Sequence, residues 1–339
     1  MTTDIASSPL ATRMLGRTGM KISRVGFGAW AIGGPDWAVG WGAQDDADSI
    51  RAIRHAIDRG VNWIDTAAIY GLGHSEEVVA RALAEMPSSA RPYVFTKCGQ
   101  IWDPADRNSK IRVGRRESIK RECEDSLRRL RVETIDLLQM HWPAEDGSTL
   151  EEYWSALLEL RQEGKVRAVG LSNHDANQLA AAEALGHVDS LQPPLSAIRR
   201  NALAREVPWC LAHDTGVIVY SPMQSGLLTG SFSEERVASL PEDDWRSKHI
   251  DFNGSALTRN LAVAKAMKPV SERHGVSQAA VAVAWTLAAP GVTGAIVGAR
   301  SPGQVDGWVA AAGLTLERED LEQIATAIRV SEAGDGPVL

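Results

Sequence analysis

Short apolar runs alternate with amphipathic segments along most of the chain, and this alternation limits the possible folds more than any other feature. The runs are rich in β-branched and large apolar residues, whereas the segments between them repeat apolar residues at helical spacing. Strands that alternate with helices predict a parallel sheet covered by helices. Starting at Val25 we count eight predicted strands, each followed by a helical segment.

The predicted elements cover nearly the whole chain, beginning with a hairpin over residues 13–24 and including a long polar loop over 221–255. The predicted core strands span residues 25–30, 61–66, 93–97, 134–141, 166–171, 190–192, 217–220 and 294–298. The predicted helices span residues 46–59, 75–86, 116–130, 150–163, 176–185, 206–214, 256–274, 277–288, 302–312 and 318–329.

No break in composition indicates a linker, so we expect one domain over residues 1–339, with a short flexible N-terminus (1–11) and a C-terminal tail (331–339). The repeated βα units favour a single closed (β/α)8 TIM barrel with an N-terminal β-hairpin and extra C-terminal helices. A doubly wound open sheet is the alternative. Its Gly-x-Gly-x-x-Gly turn is absent, because Gly26-Phe-Gly28 continues with no helix behind it.

Composition argues against several classes of partner. The formal net charge of −7 and a pI near 5.7 disfavour nucleic-acid binding, which needs a basic surface. No apolar window approaches the ~18 residues of a membrane span, and the first residues do not resemble a signal peptide. Cys98, Cys123 and Cys210 are scattered, so we expect no disulfide framework, no structural zinc site and a cytoplasmic location.

Three consecutive predicted strands end on side chains that can take part in proton transfer. The second strand ends near Asp65, with Tyr70 close behind it, the third ends on Lys97, and the fourth ends on His141. The C-terminal ends of parallel barrel strands meet at one mouth, so these side chains are expected to lie together. The sequence therefore predicts an active site at this mouth.

The chemistry of these groups suggests a role for each. A free phenol has a pKa of about 10, and a neighbouring ammonium group favours the phenolate. We therefore expect Lys97 to lower the pKa of Tyr70, which would act as the general acid–base. Asp65 would hold Lys97 through a charge-assisted hydrogen bond, and His141 would donate a hydrogen bond to a substrate oxygen.

The residues around these positions resemble the aldo-keto reductase family. The matching motifs are Asp65-Thr-Ala-x-x-Tyr70-Gly, the Thr-Lys97 strand end and the Gln-Met-His141 strand end, and the similarity extends from the N-terminal hairpin to Gln304. It is greatest to bacterial, NADP-dependent members and to the branch that includes potassium-channel β subunits. The resemblance implies reduction of an aldehyde or ketone by NADPH, with these four residues of the strand ends as the catalytic groups.

The resemblance also implies where the cofactor lies. Ser172, Asn173 and Gln192 would hold the nicotinamide carboxamide in one orientation. The turn after the seventh strand would bring its backbone to the pyrophosphate. The implied cofactor contacts are Trp30, Asp65, Ser172, Asn173, Gln192, Tyr220, Ser221, Pro222, Met223, Ser225, Gly226, Leu227, Arg246, Gly298, Arg300 and Gln304.

Two arginines among these contacts bear on the choice of cofactor. Arg300, just after the last predicted strand, would fork onto a 2′-phosphate, which favours NADP over NAD. Arg246, in the long loop, would either cover the pyrophosphate or form a surface ion pair.

Three positions depart from the family pattern. Leu195 stands where the family often has an aromatic ring near the nicotinamide, so that Tyr220 would stack there instead. Gly307 and Trp308 stand where the family usually has Glu-Asn for the adenine. Trp308 would stack on the adenine or simply pack.

The substrate is expected to be a small carbonyl compound or the corresponding alcohol, and the oligomeric state stays open. Trp30, Trp37, Trp41 and Trp102 fall in predicted loops at the mouth. Flat indoles suit sugar rings or aromatic carbonyls, and packing explains them equally well. The expected substrate contacts are Trp30, Tyr70, Trp102 and His141.

Two other functions compete with carbonyl reduction. The chain could be a non-catalytic, cofactor-binding regulatory subunit of a potassium channel. The presence of His141 argues against this, because that class resembles the enzymes but lacks the histidine. The chain could also be a barrel lyase that forms a Schiff base on Lys97, which requires a lysine without a tight carboxylate partner.

Overall fold

The computed structural model describes residues 10–35, 37, 39–241 and 244–339, so residues 1–9 of the predicted N-terminal segment lie outside the described part. The strands in chain order are β1 (Thr12–Met14), β2 (Lys21–Ser23), β3 (Val25–Gly28), β4 (Trp63–Asp65), β5 (Tyr93–Cys98), β6 (Gln100–Asp103), β7 (Asp106–Arg112), β8 (Ile135–Met140), β9 (Val166–Ser172), β10 (Ser190–Gln192), β11 (Gly216–Val219) and β12 (Val292–Gly298). The helices are α1 (Asp46–Asp58), α2 (His74–Leu83), α3 (Arg116–Leu130), α4 (Leu150–Gln162), α5 (Ala176–Glu183), α6 (Glu206–Ala212), α7 (Glu234–Ala238), α8 (Gly254–His274), α9 (Gln278–Ala288), α10 (Pro302–Trp308) and α11 (Arg318–Ser331).

Within the described residues, eight parallel strands form a closed barrel in the order β3-β4-β5-β8-β9-β10-β11-β12, and β12 pairs back onto β3. The helices between these strands cover the outside of the barrel. This confirms the expected (β/α)8 TIM barrel with extra C-terminal helices. The doubly wound alternative is wrong, because every barrel strand has a neighbour on each side. No helix of the described residues is long and apolar enough to cross a membrane.

The N-terminal hairpin closes one end of the barrel. Strands β1 and β2 pair antiparallel, as predicted, and the buried side chains of Leu15, Met20 and Ile22 pack on the apolar residues of the barrel interior. The hairpin turn fits tightly there, because a Cβ atom on Gly16 would lie 2.6 Å from the carbonyl oxygen of Asp214. The opposite end, where the strands finish, is therefore left for a site.

A second hairpin was not predicted. Strands β6 and β7 pair antiparallel between β5 and α3. Most of their side chains are exposed, so the sequence lacks the alternation of apolar and polar residues that marks a half-buried strand. The predicted long loop also contains α7 and, among its described residues, three 3-10 helices, over Leu227–Thr229, Trp245–Lys248 and Ile250–Phe252.

A buried carboxylate joins adjacent βα units beneath the mouth of the barrel. Glu76 on α2 is fully buried. It accepts a hydrogen bond from Thr96 Oγ1 on β5 (2.6 Å) and pairs with Arg129 Nε on α3 (2.6 Å). Thr96 precedes Lys97, so this network supports the strand that carries the lysine.

Removing this carboxylate should destabilise the barrel strongly. We expect Glu76→Ala to lower the free energy of unfolding by about 3–5 kcal/mol, because Arg129 would keep a partly buried charge without its partner. Glu77→Ala is the matched control, since Glu77 is exposed on the same helical turn, and should cost about 1 kcal/mol or less. Urea denaturation measures both. Equal losses in the two variants would contradict a structural role for the buried pair.

Candidate active site

A cavity of about 950 Å³ opens at the C-terminal ends of the barrel strands. Most of the residues that the sequence analysis assigned to the site line this cavity, although they come from distant parts of the chain. The predicted residues that line it are Trp30, Asp65, Tyr70, His141, Ser172, Asn173, Gln192, Tyr220, Ser221, Pro222, Met223, Ser225, Gly226, Arg246, Gly298, Arg300 and Gln304.

Three predicted residues do not line this cavity. Lys97 lies behind its wall, in contact with Asp65 and Tyr70. Leu227 is fully buried in the main core and follows Gly226, which has a left-handed backbone conformation. Trp102 packs against the apolar cluster of Trp37, Ala67 and Ile69 and is not among the residues that line the cavity. The expected approach of the 221–227 backbone to the pyrophosphate and the expected contact of Trp102 with the substrate stay predictions.

A buried ion pair stands at the centre of the site. Lys97 is 1% exposed and Asp65 is 2% exposed. Lys97 Nζ donates to Asp65 Oδ1 (2.5 Å), to the carbonyl oxygen of Thr66 (2.8 Å) and to Tyr70 Oη (3.5 Å). Gln192 Nε2 donates to the other oxygen of Asp65 (2.8 Å). The ammonium group is thus held in one position beside the phenol.

The pKa of Tyr70 is shifted in the direction opposite to the expected lowering. Burial, and then the charge of Asp65, raise the pKa of Tyr70 well above its usual value. Lys97 Nζ lies 2.5 Å from Asp65 Oδ1 and 3.5 Å from Tyr70 Oη, so the ammonium is closer to the carboxylate than to the phenol. The phenol therefore stays protonated at neutral pH, which is the form that a proton donor needs.

His141 is held neutral next to this phenol. Burial lowers its pKa well below the usual value, and the charges of Lys97 and Arg112 lower it further. Its ring lies edge-on to the Tyr70 ring, with the centroids 5.7 Å apart. Asn173 Nδ2 fixes its backbone by donating to the His141 carbonyl oxygen (2.9 Å). A neutral imidazole carries one N–H, so His141 can donate a hydrogen bond to a substrate oxygen while it stays uncharged.

The strand ends opposite the ion pair form a network of amide and hydroxyl groups. Tyr220 Oη donates to Asn173 Oδ1 (2.8 Å), and Asn173 Nδ2 also donates to Ser172 Oγ (3.1 Å). Asn173 takes a left-handed backbone conformation with φ of 61°, which points its side chain along this edge. Tyr220 lines the cavity, whereas Leu195 is fully buried outside it. An aromatic ring therefore faces the cavity despite the departure at Leu195.

The two predicted arginines have different surroundings. Arg300 donates from its guanidinium to Gln44 Oε1 (2.6 Å) and to the carbonyl oxygens of Trp41 (3.3 Å) and Ala43. No carboxylate among the described residues pairs with it. Arg246 instead forms a two-pronged ion pair with Asp244, at 2.9 Å and 2.5 Å. The alternative of an ion pair is thus the arrangement found for Arg246.

The far end of the cavity contains an unpaired indole donor. Trp308 is 1% exposed and lines the cavity, and its Nε1 finds no acceptor within the described part of the chain. The neighbouring Gly307 leaves open space where a side chain would stand. Stacking of Trp308 on an adenine ring stays a prediction.

Sequence reasoning missed a set of cavity residues on one side. They lie on the second hairpin and on the loop after β8, and are Gln100, Lys110, Arg112, Trp142 and Glu145. One sequence signal for the hairpin was available. The interval between the predicted strand ending at residue 97 and the helix starting at 116 is far longer than the usual βα loop of about 2–6 residues.

Comparison with known proteins agrees with the fold and the motifs. The sequence model of the Aldo/keto reductase family matches residues 24–329. The aldo-keto reductase YhdN of Bacillus subtilis (strain 168) is 36% identical over 310 residues, which covers 91% of each chain. The NADH-specific methylglyoxal reductase of Escherichia coli (strain K12) is 33% identical over 319 residues, covering 90% of this chain and 94% of its own.

A solved structure is similar over nearly the full length. The glycerol dehydrogenase AKR11B4 from Gluconobacter oxydans superimposes with a TM-score of 0.86 at 37% identity, covering 97% of this chain and 98% of that one. Its barrel, like the matched motifs, corresponds to the architecture described above. The chain therefore belongs to the aldo/keto reductase family and is an oxidoreductase.

Proposed function

We propose that this enzyme uses NADP(H) to reduce an aldehyde or ketone to an alcohol, with Tyr70 as the general acid–base. The observation that carries the proposal is a protonated phenol facing the cavity, 3.5 Å from Lys97 Nζ and beside the neutral His141. Relatives named as a methylglyoxal reductase and a glycerol dehydrogenase act on small carbonyl compounds or alcohols, which supports this substrate class.

Each side chain has a defined part in the proton transfer. The nicotinamide, when bound, supplies a hydride to the carbonyl carbon and is itself oxidised. His141 donates a hydrogen bond to the carbonyl oxygen and orients it. Tyr70 gives its phenolic proton to that oxygen as negative charge develops there, and Lys97 stabilises the resulting phenolate. Asp65 keeps the ammonium in place.

Residues across the mouth suit the cofactor. Ser172, Asn173 and Gln192 offer the donors and acceptors that hold a carboxamide. Arg300 offers a guanidinium that pairs with no carboxylate of the described residues. We infer that Arg300 binds the 2′-phosphate of NADPH. One relative is named NADH-specific, so the preference is the point that most needs a direct test.

The competing functions have less support. A lyase that uses Lys97 requires a free amine, whereas Lys97 makes hydrogen bonds to Asp65 and to a backbone carbonyl oxygen. A purely regulatory subunit would not need the His141 donor beside Tyr70. We also infer a reducing cytoplasmic location, because Cys98, Cys123 and Cys210 are free and buried.

Removing the phenolic hydroxyl should stop catalysis without loss of cofactor. We expect Tyr70→Phe to lower kcat by at least about 10²–10⁴-fold, the usual contribution of general acid catalysis. The ring remains, so the Kd for NADPH should stay within a few-fold. Tyr93→Phe is the control, because Tyr93 lies at the start of β5, away from the cavity. Steady-state kinetics with near wild-type kcat for Tyr70→Phe would exclude Tyr70 as the proton donor.

Lys97 and Asp65, the two members of the ion pair, should contribute unequally to turnover. We expect Lys97→Met to abolish turnover, because the phenolate would lose the ammonium group that lies 3.5 Å from Tyr70 Oη. Asp65→Asn should reduce kcat less. Circular dichroism melting of both variants controls for unfolding. The decisive chemical check is borohydride treatment with a carbonyl substrate. A trapped adduct on Lys97 would replace the reductase proposal with the lyase alternative.

Arg300 should decide between the two nicotinamide cofactors. Charge-assisted bonds to the 2′-phosphate contribute roughly 1.5–3 kcal/mol each, so we expect at least about a tenfold preference for NADPH. Arg300→Ala should raise the KM for NADPH and leave the KM for NADH almost unchanged. Arg246→Ala is the contrast, since any contact with the pyrophosphate would affect both cofactors equally. A wild-type preference for NADH would overturn the NADP assignment.

A further inference from the structure

The charges around the cavity differ from those of the protein as a whole. The chain has a formal net charge of −7. Among the described residues that line the cavity, however, five are Lys or Arg and two are Asp or Glu. A cleft with one dominant sign of charge attracts ligands of the opposite sign. The basic residues fall into two groups on opposite sides of the cavity.

One basic group lies on the proposed cofactor side. Arg236 on α7 and Arg246 in the 3-10 helix Trp245–Lys248 lie in the segment between β11 and α8, and Arg300 follows β12. The phosphates of a dinucleotide would account for these charges.

The other basic group lies on the substrate side. Lys110 and Arg112 belong to β7, in the hairpin between β5 and β8. Strands β5 and β8 adjoin each other, and the closed order of the barrel puts them across from β12. A cofactor held near the end of β12 therefore leaves these charges for a different ligand.

Arg112 is held in place next to the reacting groups. Its guanidinium pairs with Glu145 and lies over the Trp142 ring, 4.5 Å from the centroid. The backbone N–H of Glu145 donates to the Arg112 carbonyl oxygen (3.1 Å), which ties the hairpin to the loop after β8. The charge of Arg112 contributes to the lowered pKa of His141, so the guanidinium acts on the end of the cavity where the carbonyl would react.

Lys110 adds a positive charge that no described carboxylate balances. It is exposed at the cavity edge, and no carboxylate among the described residues pairs with it. The side chains of Lys110, Arg112 and Glu145 together leave one net positive charge on this wall. Aromatic rings form the rest of the substrate side, contributed by Trp30, Trp37, Tyr70 and Trp142.

We propose that the carbonyl substrate carries an anionic group, a carboxylate or a phosphate, which Lys110 binds with the help of Arg112. The inference rests on the proposed reductase function and narrows its substrate class. The aromatic walls accept the body of the substrate, and the hairpin selects its charge. Lys110 and Arg112 are thus residues that determine specificity, outside the proton-transfer groups.

The test compares charged and neutral versions of the same aldehyde. We expect kcat/KM for 4-formylbenzoate to exceed that for its methyl ester, and for glyceraldehyde 3-phosphate to exceed that for glyceraldehyde. The larger of the two ratios identifies the anion as a carboxylate or a phosphate. Raising the ionic strength should reduce the preference, because Lys110 is exposed to solvent. A ratio of one or less for both pairs would overturn the proposal.

Variants separate the charge effect from a structural one. Lys110→Gln should lower the ratio of kcat/KM for the charged aldehyde to kcat/KM for the neutral one by about threefold to fivefold, because an exposed ion pair contributes little. Lys110→Glu should reverse the preference, so that the neutral aldehyde is reduced more efficiently. Glu145→Gln should change the ratio in the opposite direction, since it frees Arg112. Lys268→Gln is the matched control, because that lysine is 69% exposed on α8 and equally removes one charge. Equal ratios in Lys110→Gln and Lys268→Gln would refute the assignment.

A binding measurement keeps this inference separate from the proposed function. If wild-type protein reduced neither aldehyde of a pair with NADPH or NADH, the reductase function would fail. Tryptophan fluorescence titration with benzoate and benzamide still reports charge preference, since several indoles line the cavity. Tighter binding of benzoate that weakens in Lys110→Gln would support anion recognition by the hairpin. Equal affinity for the two probes would overturn it.

Discussion

The ion pair of Asp65 and Lys97 is the interaction on which the site depends. Burying two charges costs several kcal/mol of desolvation free energy per ion. Their mutual attraction offsets this cost only when the geometry is good and further hydrogen bonds satisfy both groups. Here the backbone oxygen of Thr66 accepts from the lysine, and Gln192 donates to the aspartate. These partners come from β4, β5, β10 and the turn after β4, so the pair is satisfied only when the barrel has closed.

The closed barrel also separates the functions of its two ends. The N-terminal hairpin fills one end with apolar side chains, and the strand ends at the other end supply the polar ones. Because the proposed cofactor side and the proposed substrate side belong to different strands, each can carry its own charge pattern. A protein with excess acidic residues thus presents a basic cavity, since local charges control the field inside a cleft more than the net charge does.

The barrel, and the meeting of the proposed proton-transfer residues at its mouth, were predictable because they depend on local pattern and strand order. Asp65, Lys97 and His141 stand at the ends of runs that are typical of strands. The C-terminal ends of parallel barrel strands lie at one mouth, and this does not depend on how the side chains pack. The hairpin that carries Lys110 and Arg112 was not predictable in this way, because its strands are solvated and lack an apolar face. The inward position of the Leu227 side chain and the packing of Trp102 were not predictable for a related reason, since both depend on tertiary contacts.

The amino-acid sequence by itself determined the order of strands and helices, and with it the set of side chains at the mouth of the barrel. Only the tertiary structure decided how these groups behave. The shift of the Tyr70 pKa above its usual value depends on burial and on the nearby charge of Asp65, and neither is a property of sequence spacing. The balanced charge of Arg246 and the unbalanced charges of Arg300 and Lys110 likewise depend on which loops meet. Electrostatic effects vary with distance and solvent exposure, which folding alone establishes.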